Sequence, residues 1–184
     1  MARTLSNMLP LGTTMPVFKL QDVVSGNYFS SDSGEKKPVV IMFICNHCPY
    51  VIHINDELVK LASDYIKKGI SFLAINSNDA TLYPEDSPEK MKEYGLKLKY
   101  PFPYLYDESQ QVAKAFDAAC TPDFYIFDEK KKLVYRGQLC ESRPSNGILI
   151  TGKDMRSALD NLLNGTSLNH QQIPSIGCNI KWRN

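Results

Sequence analysis

The chain has 184 residues, of which 43% are hydrophobic, which is enough for one well-buried core and too few for two ordinary domains. Its 21 basic and 20 acidic residues nearly cancel, so the charge balance gives no indication of a nucleic acid or an anionic membrane as partner. Five cysteines at irregular spacing argue against a secreted disulfide framework, and no segment resembles a signal peptide or a membrane span, so we expect a single cytoplasmic domain over residues 1–184.

Strands and helices alternate along the chain, which is the pattern of an α/β protein with a mostly parallel sheet. Two β-rich runs flank a turn at Ser25–Gly26 and predict an N-terminal hairpin. Residues 38–44 form a continuous apolar run, typical of a strand buried on both faces, and residues 70–77 predict a second buried strand. Between them, apolar residues recur every three or four positions from Pro49 to Lys68, which predicts a long amphipathic helix that ends near Gly69.

The second half of the chain continues the alternation. Ser87 is predicted as the N-cap of a helix that has Pro88 in its first turn and Gly95 as its stop. The remaining elements are, in chain order, a short strand near Tyr104, a helix over about 110–116, a hairpin over 123–137 and a last helix over about 151–163. Residues 166–184 show no clear period but carry several large apolar side chains, so we expect an ordered tail that lies across the body.

A Cys-x-x-Cys pair follows the first buried strand, with Cys45 and Cys48 on either side of His47. The strand-to-helix junction is where α/β proteins place ligands and chemistry. Packing of two small apolar side chains, a zinc site that includes His47 and His53, and a reversible disulfide are the alternatives. A structural zinc site usually has a second ligand pair downstream, and here the other cysteines are scattered singly, so no metal is expected. Haem attachment needs a histidine directly after the second cysteine, where this chain has Pro49.

The redox interpretation follows from the position of the pair at the start of a helix. A helix N-terminus offers unpaired N–H groups and a partial positive charge, which stabilise a thiolate. Pro49 has no N–H and suits the first turn. A protonated His47 near the sulfurs would favour the thiolate further and make the disulfide a better oxidant, whereas an exposed histidine without a role is the alternative.

A strand, a Cys-x-x-Cys pair, a long helix and a Thr-Pro step before a hairpin together resemble the thioredoxin-like superfamily. The chain is similar to peroxiredoxin-like (redoxin, AhpC/TSA-type) proteins over about residues 10–165. The resemblance implies an α/β thioredoxin-like fold, with a central mixed β-sheet flanked by helices, an N-terminal β-hairpin and a C-terminal tail over 166–184. It also implies a cis peptide bond before Pro122 that faces the dithiol, and a Thr121 backbone on which an extended substrate can pair.

The resemblance implies two possible reactions, neither of which needs a cofactor. In thioredoxin-type exchange, Cys45 would be the exposed nucleophile and Cys48 would resolve the mixed disulfide. In peroxiredoxins the attacking cysteine lies three residues after a threonine and before a proline, so Cys48 matches it, and Cys45 replaces the threonine and would serve as resolving thiol.

We expect disulfide exchange with a protein or small-molecule thiol or disulfide, reset by an external thiol reductant. A thiol peroxidase with antioxidant activity is the alternative, and a non-catalytic peptide-binding module is the second alternative. The sequence leaves the oligomeric state open.

Four more residues are candidates for auxiliary roles. Arg136 and Arg143 are each either the arginine that peroxiredoxins place near the thiolate or a surface residue. Cys120, two residues before the predicted cis-proline, is either a third sulfur near the dithiol or buried packing. Cys178 lies among apolar anchors of the tail, so it is either a resolving thiol that the tail carries to the site or part of an inert tail.

Overall fold

The computed structural model describes residues 3–32, 34, 36–166 and 172–183. Within these ranges the chain forms ten strands, four α-helices and one short 3₁₀ helix. The strands are β1 (Arg3–Leu5), β2 (Lys19–Asp22), β3 (Tyr28–Ser30), β4 (Val39–Phe43), β5 (Ser71–Asn76), β6 (Tyr104–Tyr106), β7 (Cys120–Thr121), β8 (Asp123–Phe127), β9 (Leu133–Gly137) and β10 (Ile176–Asn179). The helices are α1 (Pro49–Ile66), the 3₁₀ turn Pro84–Asp86, α2 (Pro88–Lys97), α3 (Gln111–Ala115) and α4 (Lys153–Leu163).

The main sheet has seven strands in the order β3-β2-β6-β5-β4-β8-β9. Only the β4–β5 and β5–β6 pairs are parallel, and the other four pairs are antiparallel. The expectation of a mostly parallel sheet is therefore wrong. Short polar turns close a hairpin at each edge of the sheet, and such turns can join only antiparallel neighbours. The mixed sheet flanked by helices, with its N-terminal hairpin, is confirmed.

Both faces of the sheet are covered, which explains the continuous apolar run of the central strand. All five residues of β4 are buried. On one face, β4 packs with side chains of α1, α2 and α4, among them Leu58, Met91 and Leu159. On the other face, Phe116, just beyond α3, packs edge to face against Phe43, with the ring centroids 5.6 Å apart. A strand between two apolar layers has no solvent-facing side and shows no polar alternation.

The predicted start of α2 is confirmed and its predicted end is wrong. The Ser87 hydroxyl caps the helix by accepting the backbone N–H of Lys90 at 3.4 Å. Gly95 lies inside the helix and is buried, and a Cβ added there would lie 3.3 Å from Val24. Close packing, and not helix termination, explains this glycine. The chain turns instead at Lys99, which has a left-handed backbone with φ of 54°.

A second, smaller sheet joins the two ends of the chain in the order β1-β10-β7. The described part of the tail enters this sheet as β10, which runs antiparallel to β1 on one side and to β7 on the other. The sequence indicated none of these three strands, because two to four residues are too few to show alternation. The predicted tail is only partly open to description, since residues 167–171 and 184 lie outside the described ranges. None of the helices in the described ranges has both the length and the apolar character needed to cross a bilayer.

Candidate active site

The two motif cysteines lie where the central strand meets the first helix. Strand β4 ends at Phe43, and Cys48 is the N-cap of α1, with Pro49 in its first turn. All five cysteines of the chain are buried thiols. Cys45 is 2% exposed and Cys48 is fully buried, so the expectation of an exposed Cys45 is wrong. The thiol of Cys45 is covered because the segment before Pro122 packs directly on the pair.

That segment carries a cis peptide bond between Thr121 and Pro122, as predicted. The Cys45 sulfur lies 3.4 Å from the Thr121 hydroxyl. The Cys48 thiol, while protonated, donates to the Thr121 backbone carbonyl at 3.1 Å. Both sulfurs therefore contact the same residue, and the pair faces the cis-proline segment.

The electrostatics of the site distinguish the two sulfurs. A hydrogen bond from the Cys45 thiol is the largest influence on Cys48 and lowers its pKa, and burial opposes it. Further hydrogen bonds from Cys178 and Thr121 lower the pKa of Cys48 in the same direction, and the balance brings it from 9.0 to about 5. The same contact with Cys48, followed by burial, raises the pKa of Cys45 well above its usual value. The negative charge of the pair therefore resides on Cys48, at the N-terminus of α1, where the helix dipole favours it.

His47 is held beside the pair by a buried carboxylate. Its Nδ1 lies 2.8 Å from the Asp86 carboxylate, and its ring stacks on Tyr83 with the centroids 5.6 Å apart. Asp86 raises the pKa of His47, so the imidazole holds its proton to higher pH than a free histidine. Burial raises the pKa of Asp86, but hydrogen bonds from His47 and Asn78 outweigh it and leave this pKa below its usual value.

Asp86 is a site residue that the sequence analysis missed. It is fully buried and accepts the backbone N–H of Asn46, inside the motif, at 2.8 Å. The Asn46 side-chain oxygen accepts the Tyr104 hydroxyl at 3.0 Å, so two contacts fix the loop that carries the cysteines. A signal was present, because the polar run 76–79 begins at the last residue of β5, the parallel neighbour of β4, and the carboxyl ends of parallel strands meet at one edge of a sheet. Asn78 from that run donates to Asp86 at 2.8 Å.

Three side chains that can act as metal ligands lie close together beside the cysteine pair. Cys45, His47 and Asp86 each present a ligand atom, and these atoms lie within 4.8 Å of one another. Within the described part of the chain, this is the group of side chains that could hold a metal ion. His53, the other histidine weighed for zinc, lies elsewhere and its Nε2 is 2.8 Å from the Ser142 hydroxyl.

The structure directs both candidate arginines away from the sulfurs. Arg136 is fully buried and reaches the Asp123 carboxylate at 3.3 Å and the Ser6 hydroxyl at 3.0 Å. Arg143 donates to the backbone carbonyls of Cys140 and Ser142. Among the described contacts, neither guanidinium reaches Cys45 or Cys48. A buried carboxylate needs a charged partner, and this requirement accounts for Arg136.

The two candidate auxiliary cysteines differ sharply in position. The Cys120 thiol donates to the Pro122 carbonyl at 3.6 Å, and burial followed by the Asp123 charge raises its pKa, so it is a packed, protonated thiol. The Cys178 sulfur lies 3.0 Å from the sulfur of Cys48. Of the auxiliary candidates, the structure therefore brings Cys178 to the pair.

Comparison with known proteins agrees with this geometry. The sequence profile of the AhpC/TSA family matches residues 11–136, which is more than half of the chain. The chain belongs to the AhpC/TSA family. No curated protein sequence matches this AhpC/TSA chain.

Solved structures are similar to this protein over nearly its full length, beyond the residues that the family profile matches. An uncharacterized conserved protein from Geobacillus kaustophilus is 60% identical, with a TM-score of 0.96 over 100% of this chain and 97% of that one. A hypothetical protein from Sinorhizobium meliloti 1021 is 45% identical, with a TM-score of 0.94 over 98% of each chain. The thioredoxin domain of a thiol-disulfide oxidoreductase from Bacteroides vulgatus is 18% identical and has a TM-score of 0.66 over 85% of this chain and 99% of that one, which shows a thioredoxin-like fold. Family and fold together support oxidoreductase activity of the redoxin kind.

Proposed function

We propose that the protein is a thiol-disulfide oxidoreductase in which Cys48 is the attacking thiolate and Cys45 is its disulfide partner. The observation that carries the proposal is the contact of both sulfurs with Thr121, together with a lowered pKa on Cys48 alone. This reverses the roles that the thioredoxin resemblance implies for the two cysteines. Cys48 has the helix N-terminus and a thiol donor at its sulfur, whereas Cys45 supplies that donor.

The reaction proceeds by two exchanges. The Cys48 thiolate attacks a sulfur of the substrate disulfide, the new sulfur–sulfur bond forms as the old one breaks, and the leaving thiolate takes up a proton. Cys45, once deprotonated, then attacks the Cys48 sulfur, forms the Cys45–Cys48 disulfide and releases the second substrate thiol. An external thiol reduces this disulfide and restores the starting state.

A thiol peroxidase is the second candidate, because the lowered pKa falls on the cysteine that precedes a proline. In that reaction the Cys48 thiolate attacks the peroxide O–O bond, becomes a sulfenic acid and releases water or an alcohol. The sulfenic acid condenses with the Cys45 thiol to give the same disulfide and a second water molecule. Both reactions therefore pass through one oxidised form and differ in the first substrate.

Turnover assays with a common thiol reductant test the proposal. Glutathione disulfide and hydrogen peroxide are offered separately to wild type, Cys48→Ser, Cys45→Ser and the control Cys140→Ser, which replaces a buried cysteine outside the motif. We expect turnover of the disulfide in wild type and in the control, and its loss in Cys48→Ser. Retained turnover in Cys48→Ser would contradict the assignment. Rapid sulfenic acid formation on Cys48 with slow disulfide turnover would favour the peroxidase.

A further inference from the structure

Strand β10 occupies the backbone edge beside the dithiol. In the antiparallel β10–β7 pair, Cys178 stands opposite Thr121 and Asn179 stands opposite Cys120. On its other side β10 pairs with β1, where Arg3 stands opposite Cys178. The tail is thus the middle strand of its sheet and pairs with the residue that contacts both motif sulfurs.

Gly177 makes this approach possible. A Cβ added at Gly177 would lie 1.9 Å from the carbonyl oxygen of Thr121 and 2.6 Å from its carbonyl carbon. Because the obstructing atoms belong to the backbone, only glycine allows the two strands to come so close. This close packing of Gly177 on Thr121 positions the next residue, Cys178, so that its sulfur lies 3.0 Å from the Cys48 sulfur.

By pairing with Thr121, strand β10 takes the place in which an extended polypeptide substrate would lie beside the dithiol. Recognition by strand addition pairs an extended segment with a free backbone edge and presents its side chains to the neighbouring site. Here the added strand is part of the chain itself, and the side chain that it presents to Cys48 is a thiol. Cys178 also belongs to the buried apolar cluster that contains Cys45 and Cys48, so no water layer separates it from the pair.

We propose that Cys178 is a third redox cysteine that resolves disulfides formed on Cys48. The proposal rests on the proposed function, because it needs Cys48 as the attacking sulfur. When a substrate thiol is bound to Cys48 as a mixed disulfide, the Cys178 thiol loses its proton to the departing substrate thiolate or to a base in solvent, and its sulfur attacks the Cys48 sulfur. The Cys48–Cys178 bond forms, the mixed disulfide breaks, and the substrate thiolate leaves and is protonated. This step competes with the attack by Cys45.

The two attacking thiols approach Cys48 from different elements. Cys45 lies on the loop before α1, whereas Cys178 lies on the tail. A Cys48–Cys178 disulfide would tie the tail covalently to the start of α1, whereas a Cys45–Cys48 disulfide leaves the tail attached by strand pairing alone.

The test removes the competing thiol and follows a glutathione adduct. Reduced Cys45→Ser is mixed with glutathione disulfide, quenched with acid at successive times and analysed by mass spectrometry of the intact chain and of its peptides. We expect a transient adduct on Cys48 that gives way to a Cys48–Cys178 disulfide. In Cys45→Ser/Cys178→Ser the adduct should decay about tenfold more slowly or persist, since an intramolecular thiol outcompetes a dilute external one.

Cys45→Ser/Cys140→Ser is the matched control and should decay like Cys45→Ser. An adduct that persists equally in Cys45→Ser and in Cys45→Ser/Cys178→Ser would overturn the proposal. Peptide mapping of oxidised wild type needs no substitution. We expect a Cys48–Cys178 disulfide-linked peptide beside the Cys45–Cys48 one, and the absence of the Cys48–Cys178 peptide would count against the role of Cys178. If wild type forms neither of these disulfides and no variant carries an adduct on Cys48, the proposed function itself fails. If only Cys45–Cys48 forms, the proposed function stands and the role of Cys178 falls.

Discussion

Gly177→Ala tests whether the tail is held against the dithiol by the close approach of two backbones. The added methyl would lie 1.9 Å from the Thr121 carbonyl oxygen, whereas ordinary contact begins at 3.4 Å. No flexible side chain can absorb the difference, so β10 must retreat and lose its pairing with β7 and its 3.0 Å sulfur contact. We expect the free energy of unfolding to fall by about 2–4 kcal/mol, from overpacking and from lost hydrogen bonds.

The same substitution should make Cys178 reactive. Burial and the contact with Cys48 raise the pKa of Cys178 from 9.0 to about 12, and both causes weaken when β10 moves. The thiolate fraction near pH 8 then increases by up to about a thousandfold, because each pKa unit changes it tenfold. Alkylation of the native protein, read out by peptide mass spectrometry, should be at least about tenfold faster at Cys178 than in wild type.

A matched glycine separates this effect from the general cost of a methyl group. Gly165 has a left-handed backbone, φ 66°, and nothing lies within 4 Å of an added Cβ. Gly165→Ala should cost about 1 kcal/mol through backbone strain and leave Cys178 as unreactive as in wild type. If Gly177→Ala unfolds at the wild-type denaturant concentration and Cys178 is alkylated no faster, the described packing of β10 on Thr121 is refuted.

Three further predictions concern the charges around the site. Far-ultraviolet absorbance of the reduced protein should show a thiolate that appears as the pH rises through about 5 and is absent in Cys48→Ser. Because the pKa of Cys48 is lowered on folding, Cys48 contributes stability above pH 9.0 that is lost as the pH falls to about 5. A first thiol titration near 9.0 would contradict a thiolate on Cys48. Asp86→Asn should lower the pKa of His47, because the Asp86 carboxylate is the largest cause of its raised value. NMR of the His47 ring protons as a function of pH measures this pKa, and an unchanged titration would show that the His47–Asp86 ion pair does not form. Arg136→Ala should lower the free energy of unfolding by denaturant by about 3–5 kcal/mol, because the Asp123 carboxylate is left buried without its charged partner, while the Cys48 titration stays in place. A shifted Cys48 titration would show instead that the arginine acts on the thiolate.

Local signals were sufficient for most of the fold. The apolar run of β4 and the three-to-four spacing of α1 each arise from one element's own burial, so they can be read without knowledge of its neighbours. The strand directions of the sheet depend on which elements pair, and the prediction of a mostly parallel sheet is accordingly wrong. Gly95 shows the same limit, because a buried glycine in a helix and a helix stop look alike until the packing partner Val24 is known.

The site was predictable where its residues form a local motif or where the family resemblance supplied a distant partner. The spacing of Cys45 and Cys48 is visible in the sequence itself, and the resemblance to thioredoxin-like proteins implied that the Thr-Pro step faces them. The position of Cys178 depends on a short strand that forms only against β1 and β7. Asp86 is fully buried, and its partners Asn46 and Asn78 lie 40 and 8 positions away in the chain. Arg136 could not be assigned either, because its partner Asp123 becomes visible only when β8 and β9 pair.

In the proposed reaction the sulfur of Cys48 attacks the substrate disulfide. Rapid mixing of reduced wild type with glutathione disulfide, followed by acid quench and peptide mapping at the earliest resolvable time, identifies the attacking sulfur. We expect the first glutathione adduct, and each disulfide that replaces it, to contain Cys48. A first adduct on Cys45, with Cys48 still a free thiol, would contradict it.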